Sequence, residues 1–311
     1  MILISGEALI DLIPDAKRKN GYDAVLGGSP FNVAIGLGRL GAPTGFVSRI
    51  SKDPNGESLA AALVEAGVDL AFVARDAKPS PLAFVMAGTA QSGARYSFYL
   101  DATAYDEAWP FPKVWPPGAR HLHVGSFCAV DHVHGSSSVE ALARARAFAT
   151  ISFDPNIRPM VTPDREAVSP IVEKEVALAS FVKASEEDLA WLYPDCDPEA
   201  SLAAWALTGP HFCVMTRGEQ GAVAYLQSER FVAPSPIVDV VDTVGAGDSF
   251  MSALIAAMDA AGALGAGARA PTGPNLEQWL AFAVAASAIT CTRRGADPPT
   301  RAEVLTWLAE H

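Results

Sequence analysis

This sequence predicts an α/β fold of parallel strand–helix–strand units with a small second β sheet at its side, and three observations carry that reading. Short apolar runs alternate with helical stretches along most of the chain, as parallel strands require, because each needs a crossover connection. Glycine-rich turns, Gly27-Gly28 and Gly245-Ala246-Gly247, stand where helices begin. One stretch, 82–100, instead carries two extended runs with no helix between them, as a hairpin does.

The elements follow in order. Residues 1–5 are apolar and closed by Gly6, as a buried strand would be, and 23–26 is extended and ends at Gly27-Gly28. From there Phe31, Ala34, Ile35, Leu37 and Leu40 keep one helical face, with Ser29 and Pro30 expected as cap and first-turn proline. Strand-like runs at 44–50, 121–124, 150–153, 181–183 and 212–216 are then separated by helical stretches at 56–66, 137–148, 185–191 and 199–207. The runs 82–87 and 96–100, joined through Gly88 to Arg95, form the expected hairpin, and residues near 11–25 can add strands to it. The Ala/Gly-rich stretch 260–270 reads as a loop after a helix.

Half of the 311 residues are apolar and 19% are charged, which supports a sizeable core and excludes a disordered or collagen-like chain. Asp and Glu (35) outnumber Lys and Arg (23), so a broad basic nucleic-acid surface or a polybasic membrane anchor is not expected, and any anionic ligand must be held locally. The four cysteines, Cys128, Cys196, Cys213 and Cys291, have neither C-x-x-C nor metal spacing and read as reduced packing residues. The first residues carry Glu7 and Asp11 without a basic leader pattern, so they read as a strand and not a signal peptide, and the expected location is cytoplasmic. The apolar stretch 279–288 is shorter than the ~18 residues of a membrane span.

The sharpest motif is Asp242-Thr243-Val244-Gly245-Ala246-Gly247-Asp248, after which Phe250, Ala253, Leu254, Ala257 and Met258 lie on one helical face. A strand ending near Val241 would thus enter a helix whose first turn is 245–248. Exposed amides and the positive end of the helix dipole there favour a phosphate or a developing oxyanion. A carboxylate beside that anion, at Asp248, can accept a proton from a hydroxyl while the amides stabilise a transferring phosphoryl group. Taken alone, the same residues also describe a glycine-rich helix start with a capping acid.

Residues 242–255 agree at every constrained position with the carboxy-terminal signature of the PfkB family of ribokinase-like carbohydrate kinases, and Gly27-Gly28-Ser29-Pro30-Phe31-Asn32-Val33-Ala34 resembles its amino-terminal one. Asp154-Pro155-Asn156-Ile157-Arg158, Lys183-Ala184-Ser185-Glu186 and Thr216-Arg217-Gly218-Glu219-Gln220-Gly221 extend the resemblance along the chain. It implies a ribokinase-like three-layer α/β/α fold with a mostly parallel central sheet and a small β-sheet lid. All of 1–311 would be one domain, with lid strands drawn from about 11–25 and 82–104. It further implies ATP and Mg²⁺, with Asp248 as catalytic base and Gly245, Ala246 and Gly247 as anion hole. Asp11, Gly27, Gly28, Asn32, Phe98 and Arg158 would meet the substrate, and Lys183, Thr216, Gly218, Gly221 and Ala285 the nucleotide. Glu186 would hold Mg²⁺ through water, and Asp242 a monovalent cation such as K⁺. The chain departs from the family at Ser51, where a glycine is usual, and at Val284, where ribokinases present an asparagine. Without the resemblance, Asp11 reads as a solvated loop acid, Asn32 as a helix-start polar residue, and 185–188 as a helix start capped by Ser185.

Other patterns fail their context. Gly36-Leu37-Gly38-Arg39-Leu40-Gly41 fits a dinucleotide fingerprint with Asp53 downstream, but it ends a helix instead of opening one. His121-x-His123 and His132-x-His134 lack a third ligand at a zinc spacing. For the acceptor, family members that phosphorylate 2-keto-3-deoxygluconate present Tyr-x-Arg on a lid strand, whereas the comparable run here is Phe98-Tyr99-Leu100-Asp101. Leu100 offers no charge to a carboxylate and Asp101 repels one. A neutral sugar is therefore expected. These runs are most similar to those of bacterial fructokinases, which implies phosphorylation of D-fructose to fructose 6-phosphate. The competing readings are a 2-keto-3-deoxygluconate, ribose or nucleoside kinase of the same fold, and a non-catalytic sugar-binding regulator. The resemblance also implies a homodimer formed through the lid.

Overall fold

The computed structural model describes all residues except 16, 17, 19 and 87–94. In chain order, β1 (Ile2–Ser5), β2 (Leu9–Pro14) and β3 (Tyr22–Gly27) precede α1 (Ser29–Arg39), β4 (Thr44–Ser51), α2 (Pro54–Glu65) and β5 (Val73–Asp76). The hairpin strands are β6 (Leu82–Met86) and β7 (Arg95–Tyr99); the connection expected between them lies outside the described residues. Then come β8 (His121–Gly125), the short α3 (Phe127–Val130), α4 (Gly135–Ala145), β9 (Thr150–Asp154), α5 (Arg165–Leu178), β10 (Phe181–Ser185), α6 (Glu186–Leu192), α7 (Pro198–Trp205) and β11 (Phe212–Thr216). The chain closes with β12 (Ala222–Leu226), β13 (Glu229–Ala233), α8 (Ala246–Ala260), α9 (Gly273–Cys291) and α10 (Arg301–Glu310).

Nine strands form one sheet in the order β13-β12-β11-β10-β9-β8-β1-β4-β5, with parallel pairings except for β11–β12 and β12–β13, where β12 runs against its neighbours. A separate four-stranded sheet runs β3-β2-β6-β7. The period of two along each strand builds the layers. Ile2, Ile4, Phe46, Phe181 and Phe212 face α1, α2, α8 and α9, whereas Leu3, Val47, Val182, Cys213 and Met215 face α4 to α7. This is the three-layer body with a small lid that the sequence predicts.

Three sequence expectations change. Residues 237–241 form no strand: Ile237, Val240 and Val241 are exposed, and the amides of Val241 and Asp242 both donate to the Cys291 carbonyl. The β12–β13 hairpin and α5 were not anticipated; α5 buries Val168, Val172 and Val176 at helical spacing, but Pro170 interrupts its pattern. Ser29 does not cap α1: Gly28 holds the cap position without a side-chain bond, and Ser29 is the first helical residue.

The rejected patterns have structural roles. Gly36 and Gly38 lie inside α1, where an added Cβ would come within 2.3 Å of Ser252 Oγ and 2.1 Å of the Ala66 carbonyl oxygen, so they let α1 pack closely on its neighbours. Asp53 caps α2 through the Gly56 amide (2.7 Å). His121 and His123 are buried with ring nitrogens hydrogen-bonded to Thr150 and Ser152 hydroxyls. Among the described residues, no helix is long and apolar enough to cross a membrane.

Candidate active site

The carboxyl ends of β1, β8, β9 and β10 meet at one edge of the large sheet, where open α/β sheets bind ligands. Glu7, Ser126, Arg158 and Lys183 lie on or just beyond those strands and line a cavity of about 360 Å³. The lid strands β2 and β7 cover it with Asp11, Tyr96 and Phe98, and the start of α8 closes it with Gly245, Gly247 and Asp248.

The local sequence explains how α8 begins there. Gly245 is its N-cap in a left-handed conformation (φ +76°), and a Cβ at that position would lie 2.6 Å from the Ala296 side chain. The amides of Gly247 and Asp248 make no hydrogen bond among the described residues, so two free donors and the helix dipole point to one spot. Lys183 adds a full charge: its ammonium donates to Asp154 Oδ2 (2.9 Å) and stands 3.2 Å from where a Gly247 Cβ would be. Burial opposes that charge, but Asp154, Asp188 and Asp248 outweigh it and hold Lys183 protonated.

Asp248 is buried at 8% exposure. Its Oδ1 accepts from Ser29 Oγ (2.6 Å) and its Oδ2 from Asn32 Nδ2 (2.8 Å). Burial raises its pKa above the ordinary carboxylate value, while these bonds and the charges of Lys183 and Arg158 pull it back. The result is a desolvated carboxylate more basic than one in water, the property a general base needs. Asp11 is pushed up to about 6, chiefly by burial, with Arg158 opposing and Asp248 and Glu7 reinforcing the rise.

On the other side of Gly247 lies a hollow of about 120 Å³ walled by Thr216, Gly218, Gly221, Phe250, Val284 and Ser287. A hollow of about 700 Å³ continues it past Pro236, Ile237, Val240 and Cys291. Gly247 borders both the first cavity and the small hollow, whereas Asp248 faces only the first.

Most sequence-predicted residues gather at these walls. Asp11, Gly28, Asn32, Phe98 and Arg158 line the first cavity, and Thr216, Gly218, Gly221 and Ala246 line the hollows. Three residues are placed differently. Lys183, expected beside the nucleotide, lines the first cavity because β10 ends under Gly247. Gly27 is not in the wall but behind Asp11, whose Oδ2 would come within 2.2 Å of a Cβ there. Ala285 is packed in the core, because the turn of α9 presents Val284 and Ser287 to the hollow instead. Glu186 opens α6 as a half-buried carboxylate outside all three walls, and Asp242 is engaged by the amides of Val244 (3.1 Å) and Gly295 (2.9 Å). Sequence reasoning missed Ser29, Glu7 and Tyr96 as site residues. The one available signal was Glu7, a charge at the end of an apolar strand.

The chain is similar to known carbohydrate kinases in sequence and fold. The family model described as "pfkB family carbohydrate kinase" matches residues 1–303. A fructokinase of Rhizobium leguminosarum bv. trifolii is 37% identical over 262 residues, 83% of this chain and 79% of its own length. The crystal structure of a Xylella fastidiosa fructokinase with bound ATP superposes with a TM-score of 0.87 at 28% identity, covering 99% of this chain and 98% of that one. A Vibrio cholerae fructokinase bound to fructose, ADP and calcium superposes with a TM-score of 0.85 at 26% identity, covering 99% and 98%. With a family match across nearly its whole length and a relative 37% identical over 83% of it, the chain belongs to the pfkB family of carbohydrate kinases.

Proposed function

We propose that this carbohydrate kinase transfers the γ-phosphoryl group of ATP to the primary hydroxyl of D-fructose, giving fructose 6-phosphate and ADP, with all of 1–311 acting as one catalytic domain. The observation that carries the reading is the position of Gly247, between a polar cavity that contains Asp248 and a hollow that does not. A sugar in the first and a nucleotide in the second would meet across the free amides of α8. Asp248 accepts the hydroxyl proton; the sugar oxygen forms its bond to the γ-phosphorus as the bond from that phosphorus to the bridging oxygen breaks. The amides and Lys183 carry the charge that develops on the transferring group. Asp11 and Asn32 hold sugar hydroxyls through paired acceptors and donors.

Mg²⁺ would neutralise the nucleotide phosphates, with Glu186, a half-buried carboxylate at the start of α6, reaching it through water. Asp242, already ordered by two amides, would orient the loop around a monovalent cation such as K⁺. The neutral acceptor is supported by Leu100, which packs against the Tyr105 and Trp109 cluster and is absent from the cavity wall. A homodimer through the lid is supported by its outer face, where Tyr22 and Tyr99 are exposed and both pack edge-on against Phe84; analytical ultracentrifugation of the lid variant Tyr99→Glu against the parent chain tests it.

One observation favours a second reading: Arg158 lines the sugar side and could pair with a substrate carboxylate, as a 2-keto-3-deoxygluconate kinase requires. An ADP-release assay with Mg-ATP against fructose, glucose, ribose, 2-keto-3-deoxygluconate and adenosine decides between them. Highest turnover on fructose, abolished in Asp248→Ala, is the expected result; preference for the sugar acid would transfer the site to that class.

A further inference from the structure

Ser29 stands at the first position of α1 yet gives its hydroxyl to a carboxylate 219 residues away, across the interface of α1 with α8. We propose that Ser29 is a positioning residue for the base, its hydroxyl holding the Asp248 carboxylate toward the substrate cavity while the buried Glu7 fixes Ser29 through its amide. The inference rests on the reading of Asp248 as the base.

Ser29 Oγ meets Oδ1 at 2.6 Å and Asn32 Nδ2 meets Oδ2 at 2.8 Å, so α1 grips both oxygens and each keeps a lone pair for the substrate hydroxyl. The grip is only as firm as the backbone that carries it. The Ser29 amide donates to Glu7 Oε1 (3.2 Å), and Glu7 is 1% exposed with Oε2 unpartnered, on the turn directly after β1. A serine that only started the helix would leave its hydroxyl for local amides. The other charged and titratable groups facing Asp248 are Lys183 from β10, Arg158 and Asp154 from β9 and the turn after it, Asp11 from β2 and Tyr96 from β7. None of them makes a direct hydrogen bond to its carboxylate. The two direct donors both come from α1, and only Asn32 is expected to leave for the sugar.

The test uses the whole chain labelled with [4-¹³C]aspartate, the Asp248 resonance being identified by its loss in Asp248→Asn. Titrated without sugar, Ser29→Ala should move the Asp248 midpoint up by about one unit, and Ser29→Thr should restore it. With substrate, Ser29→Ala should lower kcat about ten- to hundredfold while the sugar KM changes little, because Ser29 acts through the base. Glu7→Ala should lower kcat by less than Ser29→Ala does. An unmoved midpoint in a folded Ser29→Ala protein overturns the proposal. A raised midpoint in a protein that turns over none of the sugars supports it and overturns the kinase reading of the acceptor instead.

Discussion

The cavity and the hollows that meet at Gly247 are built from opposite materials. On the proposed sugar side, Asp11, Asn32, Arg158, Lys183 and Asp248 present charged and amide side chains, and hydrogen bonds to buried carboxylates hold Asn32 and Lys183 in place. On the proposed nucleotide side, Gly218, Gly221, Val284, Ile237 and Val240 offer backbone and apolar surface, interrupted by hydroxyls such as Thr216 and Ser287 and, in the larger hollow, by Glu219 and Gln220. Desolvated polar groups reject a ligand that leaves them unpaired, whereas apolar walls discriminate weakly. The contrast teaches that, under the proposed function, this site would read its acceptor through side chains and its donor mainly through phosphates at a helix start.

Substitutions on the two sides should therefore differ by orders of magnitude. The largest effect belongs to Asp248→Asn, which should cut kcat by ~10³-fold or more with the sugar KM within about tenfold, measured by ADP release. Next is Lys183→Met, with a loss of about 10²–10³ in kcat from one lost donor to the transferring group. It also leaves Asp154 buried without its cation, so thermal unfolding should show destabilisation of about 3 kcal/mol.

Asp11→Asn should raise the sugar KM by about ten- to hundredfold and at the same time stabilise the protein. The wild-type carboxyl binds its proton more tightly folded, at about 6, than at its ordinary value of 3.8. Its contribution to stability is thus full below about pH 4 and lost as the pH rises through 6. The variant should melt a few degrees higher at pH 7, and that advantage should vanish in thermal scans below about pH 4. The smallest effect is expected across Gly247: Val284→Asn should change the ATP KM by less than about threefold, and a hundredfold change would break the contrast between the two sides.

How much of this was legible in the sequence depends on the distance over which each residue acts. The start of α8 was readable because Gly245, Ala246, Gly247 and Asp248 act within one turn. The Ser29–Asp248 bond was not, because it depends on how α1 packs on α8, and a serine before a helix reads as a cap. Ala285 was assigned one residue away from the wall because α9 is apolar on nearly all faces and its period does not separate core from hollow. The run ending near Val241 resembled a strand by composition, yet the amides of Val241 and Asp242 are taken by the end of α9 and Ile237, Val240 and Val241 are exposed.

The most direct measurement of the central claim, that Asp248 removes the hydroxyl proton, is the pH profile of kcat/KM for fructose in the wild type and in Asp248→Ala. The wild type should lose activity toward acid with unit slope, about a group more basic than an ordinary aspartate, and the residual rate of the variant should lack that limb. The same acid limb persisting in Asp248→Ala would contradict the account.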